Sequence, residues 1–199
     1  NSTFTNNKLI NLAVNFCNHF TLIIGTVFES ALTGFEFNKI KSAMIKDCTV
    51  RHNVAMLRGG GISVKHLQLL MVMNSVWEYN LVNRETGGAI YDHKVNKIIN
   101  MNNIYVYNTG GYGGGVYLQE VEYIITINCV YVGNTAKKWG GAMFLHDVQF
   151  VKNTNCTFVS NFAQKSGACW ILSATNITAN INCTFIKNQG TYGGGLRIW

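Results

Sequence analysis

Asn182 to Gly195 reads N-C-T-F-I-K-N-Q-G-T-Y-G-G-G, and the same pattern returns upstream at a near-constant interval. An aromatic, Phe185, stands three residues before Asn188, and Gly193 to Gly195 follow. One interval earlier the slots hold Asn155, Cys156, Phe158, Asn161 and Gly167-Ala168, and before that Asn128, Cys129, Tyr131, Asn134 and Gly140-Gly141-Ala142. Further copies stand at Asn102, Tyr105, Asn108 and Gly113 to Gly115, at Asn74, Trp77, Asn80 and Gly87-Gly88-Ala89, and at Asp47, Cys48, Val50, Asn53 and Gly59 to Gly61. The anchors Asn53, Asn80, Asn108, Asn134, Asn161 and Asn188 are 27, 28, 26, 27 and 27 residues apart. Self-similarity at such a period marks a solenoid, in which a unit buries its apolar face only when a neighbour stacks on it.

Within each unit a head strand such as Ile181 to Phe185 precedes the Asn, and a polar turn is expected after it. A second apolar run follows the glycines, as in Ala142-Met143-Phe144-Leu145, and a third leads into the next head, as in Val121 to Ile127. Period-two alternation in these runs argues for strand rather than helix. The expected fold is therefore all-β, a right-handed parallel β-helix with three short strands per coil of about 27 residues and roughly seven coils. Residues 45–199 carry the regular repeat, and residues 1–44 read as degenerate coils of the same solenoid. With Phe185 placed inward, alternation puts Cys183, Ile181, Ala179 and Ile177 inside and Thr184, Asn182, Asn180, Thr178 and Asn176 in water. The anchor asparagines suit a ladder at one corner, bonded to backbone and to the equivalent Asn one coil away. The glycines suit the next corner, where φ is positive or a side chain does not fit.

Composition agrees with a strand-rich protein. Of 199 residues 20 are Gly, none is Pro, and only 13% are charged. The formal charge of +7 favours anionic partners. The basic residues are scattered apart from Lys137-Lys138, which argues against a dedicated nucleic-acid groove. The apolar stretch around Phe20 to Phe28 is far short of the ~20 residues that span a bilayer, so no transmembrane segment is expected. The chain has no initiating Met, and both ends read as open coils, so it is expected to be a segment of something longer.

The heads W-E-Y-N at Trp77, Y-V-Y-N at Tyr105, Y-V-G-N at Tyr131, F-V-S-N at Phe158 and F-I-K-N at Phe185 pair with G-G-A-I at Gly87, G-G-G-V at Gly113, G-G-A-M at Gly140 and G-G-G-L at Gly193. S-G-A-C at Ser166 departs from the pattern. This pairing resembles the repeats of the chlamydial polymorphic outer-membrane proteins over about three quarters of the chain. In that family such repeats form a surface-exposed β-helical passenger associated with adhesion, which the resemblance implies as an expectation here. No autotransporter barrel accompanies the repeats in this sequence.

Asn1, Asn155, Asn176 and Asn182 begin Asn-x-Ser/Thr sequons and are candidates for N-glycosylation on a eukaryotic secretory route. Cys129, Cys156 and Cys183 share one repeat slot, so Cys156-Cys183 or Cys129-Cys156 is a candidate disulfide; the alternative is a column of buried thiols. No C-x-x-C pair or other metal signature is present, and neither a metal nor a cofactor is expected. Aligned on the glycine corner, Lys65, His93, Gln119 and His146 share a slot, and His66, Lys94, Glu120 and Asp147 occupy the next. These form a candidate polar stripe. Beside it Tyr91, Tyr117, Phe144 and Trp170 are expected to line up outward as a track for stacking on sugar rings, or else to pack across coils.

The leading functional expectation is an extracellular structural or adhesive module, assembling end to end through its open coils into a filament or surface layer. A carbohydrate-active β-helix enzyme and a non-catalytic glycan-binding module are the alternatives. Hydrolases need paired carboxylates and lyases need acidic calcium ligands with a base. The nine acidic residues are scattered, with Glu120, Glu122 and Asp147 the nearest cluster, so the balance leans away from catalysis.

Overall fold

The computed structural model describes residues 3–5, 12–15, 20–30, 35–176 and 178–199. All regular structure among them is β-strand, stacked into three parallel sheets along a solenoid. The heads Thr49–Arg51, Val76–Glu78, Ile104–Val106, Val130–Val132, Thr157–Val159 and Thr184–Ile186 lie in one sheet, and Thr3–Thr5 and Val27–Glu29 continue it toward the N-terminus. Trp77 pairs with Tyr105, Tyr105 with Tyr131, Tyr131 with Phe158 and Phe158 with Phe185. The rings therefore stack through the core, with Phe158 and Phe185 centred 4.8 Å apart and 3° from parallel.

The division of the coil differs from the sequence expectation. The segment after the anchors Asn53, Asn80, Asn108, Asn134 and Asn161 is a short strand rather than a turn, as at Leu81–Val82 and Thr135–Trp139, and it buries residues such as Val82 and Ala136; after Asn188 only an isolated bridge at Gln189 forms. The two apolar runs after the glycines are instead one strand of 12 residues in Ile62–Met73, Ile90–Met101, Val116–Ile127 and Met143–Thr154. Left-handed residues at His66, Lys94, Glu120 and Asp147 bend these strands around a corner without breaking them.

A second row of left-handed residues corrects the facing of the final head. Asp47, Asn74, Asn102, Asn128, Asn155 and Asn182 have φ between 49° and 54°, so alternation does not carry across them. Ile181 is 42% exposed, whereas Asn153 is fully buried and donates to Asn180 Oδ1 at 2.9 Å. In the same column stand buried Val72, Asn100 and Thr126. Ile181 and Ala179 thus lie on the outer face and Asn180 on the inner, the reverse of the expected assignment. Ile177 lies outside the described residues. The inward asparagine at 100 is accommodated by a network: its Oδ1 accepts from Asn103 Nδ2 and Tyr105 Oη, and its Nδ2 donates to Tyr131 Oη.

Two further columns turn the other corners. Asn80, Asn108, Asn134 and Asn161 are fully buried, and each amide Oδ1 accepts two bonds from the preceding Asn. Each Nδ2 also donates to a head-strand carbonyl, as Asn108 does to Trp77 O at 2.8 Å. At the glycine corner Gly87 has φ +65°, and a Cβ on the following Gly88 would fall 1.9 Å from Gly114 O. The third position is roomier, and Ala89, Ala142 and Ala168 occupy it.

Candidate functional site

The corner at which the twelve-residue strands bend gathers the polar stripe. Lys65, His93, Gln119 and His146 are in register on successive coils, and Asn38 precedes Lys65 in the same column. The left-handed residues Lys39, His66, Lys94, Glu120 and Asp147 project beside them because a residue at a convex bend points away from the tube. The stripe is bipolar. His93 Nε2 lies 3.0 Å from Glu120 Oε1, and Lys94 Nζ lies 3.7 Å from Glu120 Oε2. His146 Nε2 approaches Asp147 Oδ2 at 3.4 Å.

The hydrogen bond with His93, followed by the nearby positive charge of His93 and Lys94, holds the Glu120 carboxyl below its ordinary range. It is therefore ionised and suited to pairing with cations, not to donating a proton. Toward the N-terminal coils the stripe opens into a groove of about 810 Å³. Lys39, Lys41, His66 and Lys94 line it together with Gln68 and Asn96, and among the described residues no carboxylate does. His66 is held below its ordinary value by desolvation and then by the positive charge of His93, Lys94, Lys39 and Lys65.

The aromatic track is not where the sequence reading placed it. Tyr91, Tyr117, Phe144 and Trp170 are in register, but their exposures are 3%, 6%, 2% and 1%. They point away from the main core into a second apolar cluster, covered by Tyr112, Trp139 and Leu172. Cations close it from outside: Arg58 lies over Tyr91, Lys165 over Trp139 and Trp170, and Arg197 over Trp170. Rings sealed in this way cannot stack on a sugar. An exposed stack is formed instead by His52, Tyr79 and Tyr107 at a left-handed corner, with centroid separations of 5.2 and 5.4 Å, and Tyr123, Phe162, Tyr192 and Trp199 are exposed elsewhere. The second aromatic in W-E-Y-N and Y-V-Y-N, one residue before the anchor Asn, was the available signal for them.

The sequon residues Asn155, Asn176 and Asn182 are exposed, and Asn155 Nδ2 donates to Asn128 Oδ1 at 3.3 Å in an outward row of amides. Asn1 lies outside the described residues. Cys48, Cys129, Cys156, Cys169 and Cys183 are free thiols. The Sγ–H groups of Cys129, Cys156 and Cys183 face backbone carbonyls two residues back at 3.4, 3.3 and 3.5 Å. Burial pushes the Cys169 thiol up to about 12, which leaves it unreactive.

Among the described residues no cluster of three His, Cys, Asp or Glu side chains is arranged to hold a metal ion, and no helix is long and apolar enough to cross a membrane. Comparison with protein-family models, with curated proteins and with solved structures finds no match to this chain.

Proposed function

We propose that this chain is a structural and adhesive β-solenoid module of an extracellular surface, and that the groove between Lys39, Lys41, His66 and Lys94 takes an acidic polymer, a sulfated or carboxylated glycan. The observation that carries the reading is the convergence of Lys39, Lys41, His66 and Lys94 on one open groove whose lining, among the described residues, includes no carboxylate, although Lys94 also reaches Glu120 beside it. Lysine ammonium groups gathered on one open groove attract a polyanion laid along the corner. The layered coils suit such a ligand because they repeat the same backbone position every ~4.8 Å, as a chain of similar sugar units requires.

Two further features support the surface reading. The repeat heads and glycine triplets resemble those of the chlamydial surface passengers, and three of the four sequon asparagines are exposed. Hydrolysis is less well supported, since Glu120, beside the groove, is tied to His93 and Lys94, and no carboxylate is among the described residues that line the groove.

Heparin is the probe. The combined substitution Lys39→Ser, Lys41→Ser and Lys94→Ser is expected to weaken heparin binding by about tenfold or more, with wild-type binding falling as salt rises. Equal binding by wild type and variant would remove the groove from the reading. Cleavage of an acidic glycan, lost on changing Glu120, would replace adhesion with catalysis.

A further inference from the structure

Past the corner, the second halves of the long strands turn an apolar face to solvent. Two columns of their outward side chains run through seven layers, from Phe20–Ile24 and Ser42–Lys46 to Thr178–Ile181, and a third runs as far as Phe150. The middle column holds Leu22, Met44, Met71, Ile99, Ile125 and Ala179, interrupted by Lys152. On one side of it stand Ile24, Met73, Met101, Ile127 and Ile181, and on the other Leu69, Tyr123 and Phe150. Leu22, Ile24, Tyr123 and Ile181 are between 42% and 52% exposed. Tyr123 and Phe150 stack 4.9 Å apart and 2° from parallel, and with Ala179 they wall an apolar hollow of about 230 Å³.

We infer that this face is the interface of a homodimer, two copies packing sheet on sheet across Leu22, Met71, Ile99, Ile125 and their flanking columns. Strand spacing and rise give the patch dimensions of about 34 by 16 Å. Two copies would cover roughly 1,100 Å² together, enough for a specific interface of modest size. A two-fold axis presents the same columns to each other, and the hollow beside Ala179 can receive a side chain from the partner copy. The rims favour protein over lipid. One is an amide row that includes Asn74, Asn102 and Asn128, and the other, Lys41, Gln68, Asn96, Glu122 and Gln149, carries one charge of each sign, whereas a bilayer surface is met by basic rims. Of the lysines on the face, Lys46 is paired with Asp47 at 3.8 Å, Lys97 stands in a flanking column where its long stem lets the ammonium reach water, and Lys152, in the middle column, lends its stem to the wall of the hollow.

The test is sedimentation of the unglycosylated chain over a wide concentration range, with flotation on neutral and on anionic vesicles alongside. A concentration-dependent dimer, weakened about a hundredfold by Ile99→Lys with an unchanged circular dichroism spectrum, supports the inference. A monomer at every concentration overturns it, as does a dimer indifferent to Ile99→Lys. Vesicle binding by a monomer that Ile99→Lys abolishes overturns it in favour of lipid. If Ile99→Lys does not fold, Met101→Cys decides the matter: an oxidative cross-link between copies supports the interface, and failure to cross-link overturns it.

Discussion

Asp92 lies directly opposite Leu118 of the neighbouring coil, a carboxyl group in a column otherwise made of Val64, Leu118, Leu145 and Ile171. It is fully buried, and neither oxygen makes a well-formed hydrogen bond, the backbone N–H of His93 being only a weak neighbour. Burial raises its proton affinity well above the usual carboxylate range, and the backbone N–H of His93 offsets only part of that rise. The folded protein therefore keeps a neutral carboxylic acid in its core.

That proton makes stability depend on pH with a defined sign. The unfolded carboxyl ionises near pH 4. Above that value and below the raised folded value the native state binds the extra proton, so stability falls by about 1.4 kcal/mol per pH unit as pH rises. Asp92→Leu, matching Leu118 and Leu145, is expected to be more stable than wild type at pH 7 by up to about 4 kcal/mol, three pH units at that slope, with the gap narrowing toward pH 4. Asp92→Asn is expected to flatten the pH dependence. Urea unfolding at both pH values checks this, and a gap of equal size at pH 4 and pH 7 would contradict it.

The asparagine ladder gives a second prediction. Asn108 Oδ1 accepts from Asn80 N and Nδ2, and its own Nδ2 donates to Trp77 O and Asn134 Oδ1, all between 2.8 and 3.0 Å. Asn108→Ala strands several buried groups at once and is expected to cost about 3 kcal/mol or more. Asn108→Asp restores the acceptor but not the donor, so it should remain well below wild type. Near-wild-type unfolding midpoints for both variants would mean that the ladder is decoration on a corner held by the backbone.

How much of this was legible beforehand follows from what repeats. The coil, its period and the stacking of Trp77, Tyr105, Tyr131, Phe158 and Phe185 are written in every copy, because each layer imposes the same steric demand on the next. The inner and outer faces were misread where a non-glycine residue adopts positive φ, since Asn182 or Asn155 does not reveal its backbone angle by its identity. The aromatic track failed for a different reason. Alternation along a strand shows that Tyr117 and Trp170 leave the main core, but not that Trp139 and Lys165, from other parts of the coil, arrive to cover them. The polar stripe was readable as a column, while the basic groove at its end needed Lys39 and Lys41, which lie in the degenerate coils.

The glycine triplet separates into positions with different tolerances. A Cβ on Gly114 would fall 2.3 Å from Gly141 O, which is backbone and cannot retreat without parting the coils. At Gly115 the nearest atom would be Ala142 O at 2.8 Å, and the same column already holds Ala89 and Ala142. Gly115→Ala is expected to unfold within about 1 kcal/mol of wild type, and Gly114→Ala to lose 3 kcal/mol or more, of the order of other severe core lesions. Thermal melts of the two variants side by side measure the difference, and equal melting would refute the layered spacing.

Trp170 and Tyr107 make the final contrast. Trp170 is 1% exposed, with Phe144 in the layer beside it and Lys165 and Arg197 outside it. Trp170→Ala opens a cavity in the second cluster and is expected to cost about 3–5 kcal/mol of stability. Tyr107 is 50% exposed on its corner, stacked on Tyr79, and Tyr107→Ala should cost less than about 1 kcal/mol. If sugar stacking is part of this protein's adhesion, the loss of binding is expected to follow exposed rings such as Tyr79 and Tyr107. A Trp170→Ala protein that kept its melting temperature while losing a glycan ligand would show that the covered cluster opens, and would return the stacking role to it.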